Sequence, residues 1–208
     1  MPDNNILSFL EKHPDLFKEM GNIGMGHACT ALSQMLGSKV NRSIPAIWTL
    51  THGEASEYLE LFEGGSVGMK LDLCQDIDGA IIHIVSLPFA SRLVNVFFPG
   101  EIHSLDDIND MSKSIIQEMS NITTAAFVNS LASMTGLFID ISTPNFCNDL
   151  KTEALISAPE RLIVVENRFM VDAGSISSEL IFMPNQDSLE IIAEKLCERY
   201  KINLQAIV

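Results

Sequence analysis

The sequence predicts an α/β (α+β) fold made of two helix–strand–strand–strand–helix units related by a pseudo-twofold axis. Three observations carry that expectation. A long helical pattern opening at Pro14 recurs 99 positions later without a gap. Each copy leads into a strand-like stretch that contains a proline, Pro45 in the first and Pro144 in the second. Each half then passes through two apolar strand patterns to a closing helix that follows Pro88 or Pro184.

In order, residues 4–12 read as a short helix broken at His13-Pro14. Pro14 suits the first turn of the next helix, where its missing N–H is no loss. That helix runs to Gly37, a glycine placed as a C-cap. At about 100° per residue, Asp15, Glu19 and Asn22 share one narrow stripe. Leu16, Met20, Ile23, Ala31 and Met35 fall opposite, as a buried stripe would. Gly21, Gly24 and Gly26 each cost about 1 kcal/mol of helix propensity. Close approach of another element is their expected compensation, and the bare backbone beside Asn22 is expected to admit a partner.

Val40 to Leu50 reads as a strand whose Pro45 belongs at an edge or an end. Thr51 to Leu59 reads as a turn of helix. Ser66 to Leu73 and Gly79 to Val85 read as a hairpin turning at Gln75–Gly79. Pro88 then opens a helix over Phe89–Phe98. The acidic stretch Glu101–Asp107 is the expected linker between repeats of about 1–100 and 106–208, which together make one domain. The second half reads as a helix from Asp106 to Gly136, a strand at Phe138–Thr143 and a helix at Phe146–Ser157. Strands at Arg161–Asp172 and Ser175–Phe182 follow, turning at Asp172-Ala-Gly, and a last helix spans Ser188–Tyr200.

The repeat preserves more than apolar residues. Glu19 recurs as Glu118, Asn22 as Asn121, Gly37 as Gly136 and Pro45 as Pro144. Asp15 becomes Ser114. Both copies therefore read Asp or Ser, three residues, Glu, two residues, Asn, twenty-two residues, Pro. From average usage, one such match arises by chance roughly once in 10⁵ starting positions. Core packing explains shared apolar positions but gives no reason for an exposed Glu and Asn to persist in both halves.

Composition narrows the function classes. A hydrophobic fraction of 47% in 208 residues is ample for a packed interior, and a formal net charge of −14 argues against nucleic acid and anionic membrane. No basic leader precedes a long apolar run, and no stretch reaches membrane-spanning length. Cys29, Cys74, Cys147 and Cys197 lack metal-ligand spacing and read as reduced thiols. The expectation is a soluble, cytoplasmic, monomeric protein.

Gly24-x-Gly26 lacks the preceding strand that a phosphate or dinucleotide loop needs. The five histidines have no ligand spacing, and no Ser-His-Asp or Gly-x-Ser-x-Gly arrangement occurs. What remains is an acid and an amide one turn apart, twice. Asn holds a water through donor and acceptor together, and Glu pairs with a cation. Neither makes an active site alone, but the two can complete one on another protein. Phosphoryl transfer suits such a division of labour, because its catalysis is largely positioning and charge stabilisation around an in-line water.

Glu19-Met-Gly-Asn-Ile-Gly-Met-Gly-His-Ala28 resembles the first signature of the CheC family of chemotaxis phosphatases, and the second copy resembles its looser second signature. Nearly the whole chain suits the two-site form of that family. His27 departs from the pattern, standing where a small polar residue such as Asn is expected, and its effect is expected to stop at local packing. The resemblance implies a continuous β-sheet with the two long helices side by side on one face. It implies hydrolysis of the aspartyl phosphate of the response regulator CheY. Asn22 and Asn121 would orient the hydrolytic water, and Glu19 and Glu118 would pair with the regulator's lysine. Asp15 and Ser114 would assist docking, and Pro45 and Pro144 would be structural. Mg²⁺ would sit on the phosphorylated CheY, leaving this chain without a cofactor or metal of its own. A second partner, the deamidase CheD, would dock on the helix at 146–157, with Asp149 as the contact. The alternative is a non-catalytic adaptor for phosphorylated CheY and CheD. Either the bulkier Ser120 and Thr123 beside Asn121 narrow the approach there or the neutral Ser114 in place of Asp15 weakens docking, so the first site is expected to be the faster one.

Overall fold

The computed structural model describes residues 14–100, 102–155, 161–171 and 176–201. The short helix expected at 4–12 and the turn at 172–174 lie outside them. Helix α1 spans Pro14–Leu36 and is followed by the short strands β1, Asn41–Arg42, and β2, Ala46–Thr51. Helix α2, His52–Glu60, leads to the hairpin β3, Ser66–Gln75, and β4, Gly79–Ser86, and to α3, Leu87–Phe97. The second half has α4, Asp110–Thr135, then β5, Ile139–Ile141, and β6, Asn145–Cys147. Helix α5, Leu150–Leu155, precedes β7, Arg161–Val171, β8, Ile176–Pro184, and α6, Gln186–Tyr200.

All the strands join one antiparallel sheet in the order β1-β7-β8-β4-β3-β5, with β2 also on β7 and β6 also on β3. The order is unchanged when the halves are exchanged. The two hairpins meet at the centre, where Ile82 faces Ile181. The short strands of each half complete the hairpin of the other, Trp48 opposite Val164 and Phe146 opposite Met69. The continuous sheet expected from the resemblance is therefore present.

Two apolar layers sandwich that sheet. The larger one packs α1, α3, α4 and α6 on one face through Leu32, Phe89, Phe127 and Ile192, over Met69, Ile81, Phe169 and Phe182. On the other face, Leu59 of α2 and Leu150 and Leu155 of α5 cover Ile82, Ile84 and Val164. The long helices end alike, with Gly37 and Gly136 at φ +58° and +75°, the left-handed region where glycine is unstrained.

Several boundaries move, each for a local reason. The strand expected at 40–50 is split, because Pro45 has no N–H to continue a ladder. Helix α4 begins at Asp110 rather than Asp106. Asp107 instead accepts from the Ser104 N–H to close its own 3-10 turn, and Asn109 caps α4 by accepting from the Ser112 N–H at 2.9 Å. The helix expected at 146–157 starts at Leu150, because residues 145–147 pair with Lys70, Met69 and Gly68.

The buried stripe of α1 is also rotated from the expected one. Gly24, Met25, Ala28, Leu32 and Leu36 are buried, whereas Ile23, Ala31 and Met35 are half-buried. Leu16 and Met20 fall outside the described side chains. Glycine carries little weight in a hydropathy pattern, yet Gly21 and Gly24 are buried and sit where a β-carbon would meet other elements within 3 Å.

Candidate functional site

Gly21 and Gly24 set where Glu19 and Asn22 stand. A β-carbon on Gly21 would meet the Pro45 ring at 2.9 Å and Asn167 Oδ1 at 3.1 Å. One on Gly24 would lie 2.6 Å from Phe127 Cδ2 of the neighbouring long helix. Gly21 and Gly24 admit the fold's own elements, as the first half of the expectation has it, while Gly26 is half-buried on the outer side. With that side pressed inward, Asp15 and Glu19 are exposed, and Asn22 is half-buried at the margin.

The second copy repeats the placement. Ser114 and Glu118 are exposed and Asn121 is half-buried, while Ser120 and Thr123 are fully buried. Ser120 and Thr123 therefore point into the core and cannot narrow an approach to Asn121. Of the two grounds for a slower second site, only the neutral Ser114 is left on the surface. Pro45 and Pro144 are both buried, and the Pro144 carbonyl accepts from Gln117 Nε2 at 3.2 Å.

Asp15 pairs with Lys18 at 3.6 Å in the open, where such a pair contributes little. The Ser114 hydroxyl donates to the Asp110 carbonyl at 3.0 Å, one turn back along its own helix. Around the first pair lies an open recess of about 560 Å³, lined in part by Glu19, Asn22, His27, Thr30 and Arg42. His27 is exposed on that recess. The Arg42 guanidinium donates through Nη1 to the main-chain carbonyl of Asn22. Sequence reading missed Arg42, because strand pairing alone brings it to α1, and its counterpart 99 positions on is Ile141.

Burial pushes the Cys29 thiol up to about 11 against the opposing charge of Arg42. Burial and the Glu153 carboxylate raise Cys147 to about 11 as well. Neither thiol is poised as a nucleophile. All four cysteines are free. Among the described residues, no group of three or more His, Cys, Asp or Glu could hold a metal ion, and no helix is long and apolar enough to cross a membrane.

Asp149 is exposed just ahead of α5, on the rim of a groove of about 720 Å³. Its carboxylate accepts from the Thr152 N–H at 3.0 Å and from the Thr152 hydroxyl at 2.6 Å. Those bonds hold it below the usual carboxylate range.

Two acid–amide pairs thus stand on packed long helices above one continuous antiparallel sheet. Residues 15–47 and 111–147 match the model of the CheC-like family. It is 24% identical over 194 residues to the CheY-P phosphatase CheC of Bacillus subtilis (strain 168), covering 86% of this chain and 91% of that protein. It is 25% identical over 145 residues to the flagellar motor switch phosphatase FliY of the same organism, covering 69% of this chain and 37% of FliY. The crystal structure of Thermotoga maritima FliY has the same fold, with a TM-score of 0.69 at 18% identity over 89% of this chain and 96% of that one.

Proposed function

We propose that this chain hydrolyses the aspartyl phosphate of a CheY-type response regulator, using each Glu–Asn pair to complete the regulator's active site. The observation that carries this reading is the recurrence of an exposed Glu one turn before a half-buried Asn, in the same placement on both long helices. An exposed carboxylate on a helix surface can reach a lysine inside a partner's pocket. The amide behind it presents a donor and an acceptor to the same place, so it can hold a water in line with a phosphorus. In this reading Glu19 and Glu118 pair with the regulator's lysine. Asn22 and Asn121 orient the water, and Asp15 and Ser114 support docking. The Mg²⁺ belongs to the regulator, and this chain needs no cofactor of its own. The similarity to proteins named as CheY-P phosphatases supports the substrate.

The test is phosphate release from phosphorylated CheY by the Asn22→Ala/Asn121→Ala double variant. The expected loss is about 10²-fold or more, the scale of removing one well-placed polar group from a transition state, with an unchanged circular-dichroism spectrum. Near-normal turnover would overturn the water-positioning role. Binding of phosphorylated CheY by the parent chain without any turnover would leave the adaptor reading in its place. CheD as a second partner, docking near Asp149, belongs to the same proposal.

A further inference from the structure

The two copies of the signature differ most in what surrounds the Asn. Around Asn22 the helix carries Gly21, Gly24 and Gly26, each weakening it by about 1 kcal/mol relative to alanine. The corresponding positions around Asn121 are Ser120, Thr123 and Ala125, none of them glycine. The weak turn is also the one that is held from outside. Arg42 lies on β1, whose register against β7 puts Arg42 opposite Phe169. From that anchor its guanidinium reaches the Asn22 carbonyl, and Nη1 comes to ordinary contact, 3.6 Å, from where a β-carbon of Gly26 would be. A helix carbonyl has two lone pairs, so this bond adds to the intrahelical one. The strong turn has Ile141 at the matching position, with no donor to offer.

We infer that Arg42 is a positioning residue of the first site. It clamps the glycine-weakened turn that carries Asn22, a device the second site does not use. This rests on the phosphatase reading for its kinetic consequence and on the helix alone for its structural one. The clamp acts through the main chain, so it governs how well the Asn22 amide is aimed rather than how tightly a regulator docks. Its removal belongs in kcat, and docking through the exposed Glu19 is untouched.

The experiment uses Arg42→Ile, which installs the residue of the second copy, and Arg42→Lys, which keeps one donor. Each is made in the Asn121→Ala background, where only the first site remains, and in the Asn22→Ala background, where only the second does. In the first background Arg42→Ile is expected to lower kcat by about tenfold, the scale of one charge-assisted hydrogen bond, with KM unchanged and partial recovery in Arg42→Lys. In the second background it changes nothing. Amide hydrogen exchange over residues 22–27 accelerates in Arg42→Ile, while that over residues 121–126 does not.

A rise in KM that grows with ionic strength, at constant kcat, would overturn the clamp in favour of direct contact with the partner. Equal losses in both backgrounds would reduce Arg42 to a fold residue. If the parent shows no turnover, the phosphatase reading has failed, and the exchange measurement still decides the clamp. Unaltered exchange over 22–27 would refute it.

Discussion

The ring of Phe127 fills the space beside Gly24, so that a β-carbon there would lie 2.6 Å from Cδ2 and 2.9 Å from Cε2. Phe127 is fully buried and tilts against Phe182 at 5.6 Å between ring centroids, so it has no room to retreat. The two long helices come close at this contact.

Gly24→Ala is accordingly expected to destabilise the protein by about 1–3 kcal/mol, the cost of overpacking a filled core. Gly26→Ala meets only ordinary contact at 3.6 Å, and it should stabilise by a few tenths to about 1 kcal/mol through helix propensity. Urea midpoints of the two variants, compared with the parent, check the opposite signs.

Asn22→Ala and Asn121→Ala, made separately, should each retain part of the phosphate release. Each pair lies on its own helix, and no residue of one signature completes the other. Complete loss in either single variant would mean coupled sites or one silent site.

Acid should weaken the fold through His83. This imidazole is fully buried, its Nε2 3.4 Å from Ser178 Oγ, and burial pulls it down to about 3 from an ordinary value of 6.5. The unfolded chain takes up a proton near pH 6.5 that the native state refuses until about pH 3. The stability is therefore complete above 6.5 and declines as pH falls through that window, by up to about 1.4 kcal/mol per pH unit. Glu179, pushed up by burial, acts in the opposite sense, so the comparison is with a variant. His83→Leu should lose less stability than the parent between pH 7 and 5, measured by urea unfolding.

Asp149 supplies the Thr152 bonds that start α5. Asp149→Ala should therefore fray that helix and lower Tm, whereas Asp149→Asn preserves the cap and removes the charge. If CheD docks through the carboxylate, binding falls in both variants. If it needs only the ordered helix, Asp149→Asn binds as the parent does.

The sequence alone determined the repeat, the Glu and Asn positions and most of the elements, because these are local or periodic signals. A 99-residue register, a glycine after each long helix and a proline at or just before the start of each closing helix are legible in one dimension. Tertiary structure decided which side of α1 is inward. That choice turned on Gly21 against Pro45 and Asn167, and on Gly24 against Phe127, contacts in which the informative atom is the missing β-carbon. It also decided that Ser120 and Thr123 face the core, and that Arg42 reaches Asn22. Arg42 arrives by pairing between β1 and β7, strands more than a hundred residues apart, and no local pattern encodes which long-range partner a two-residue strand will find.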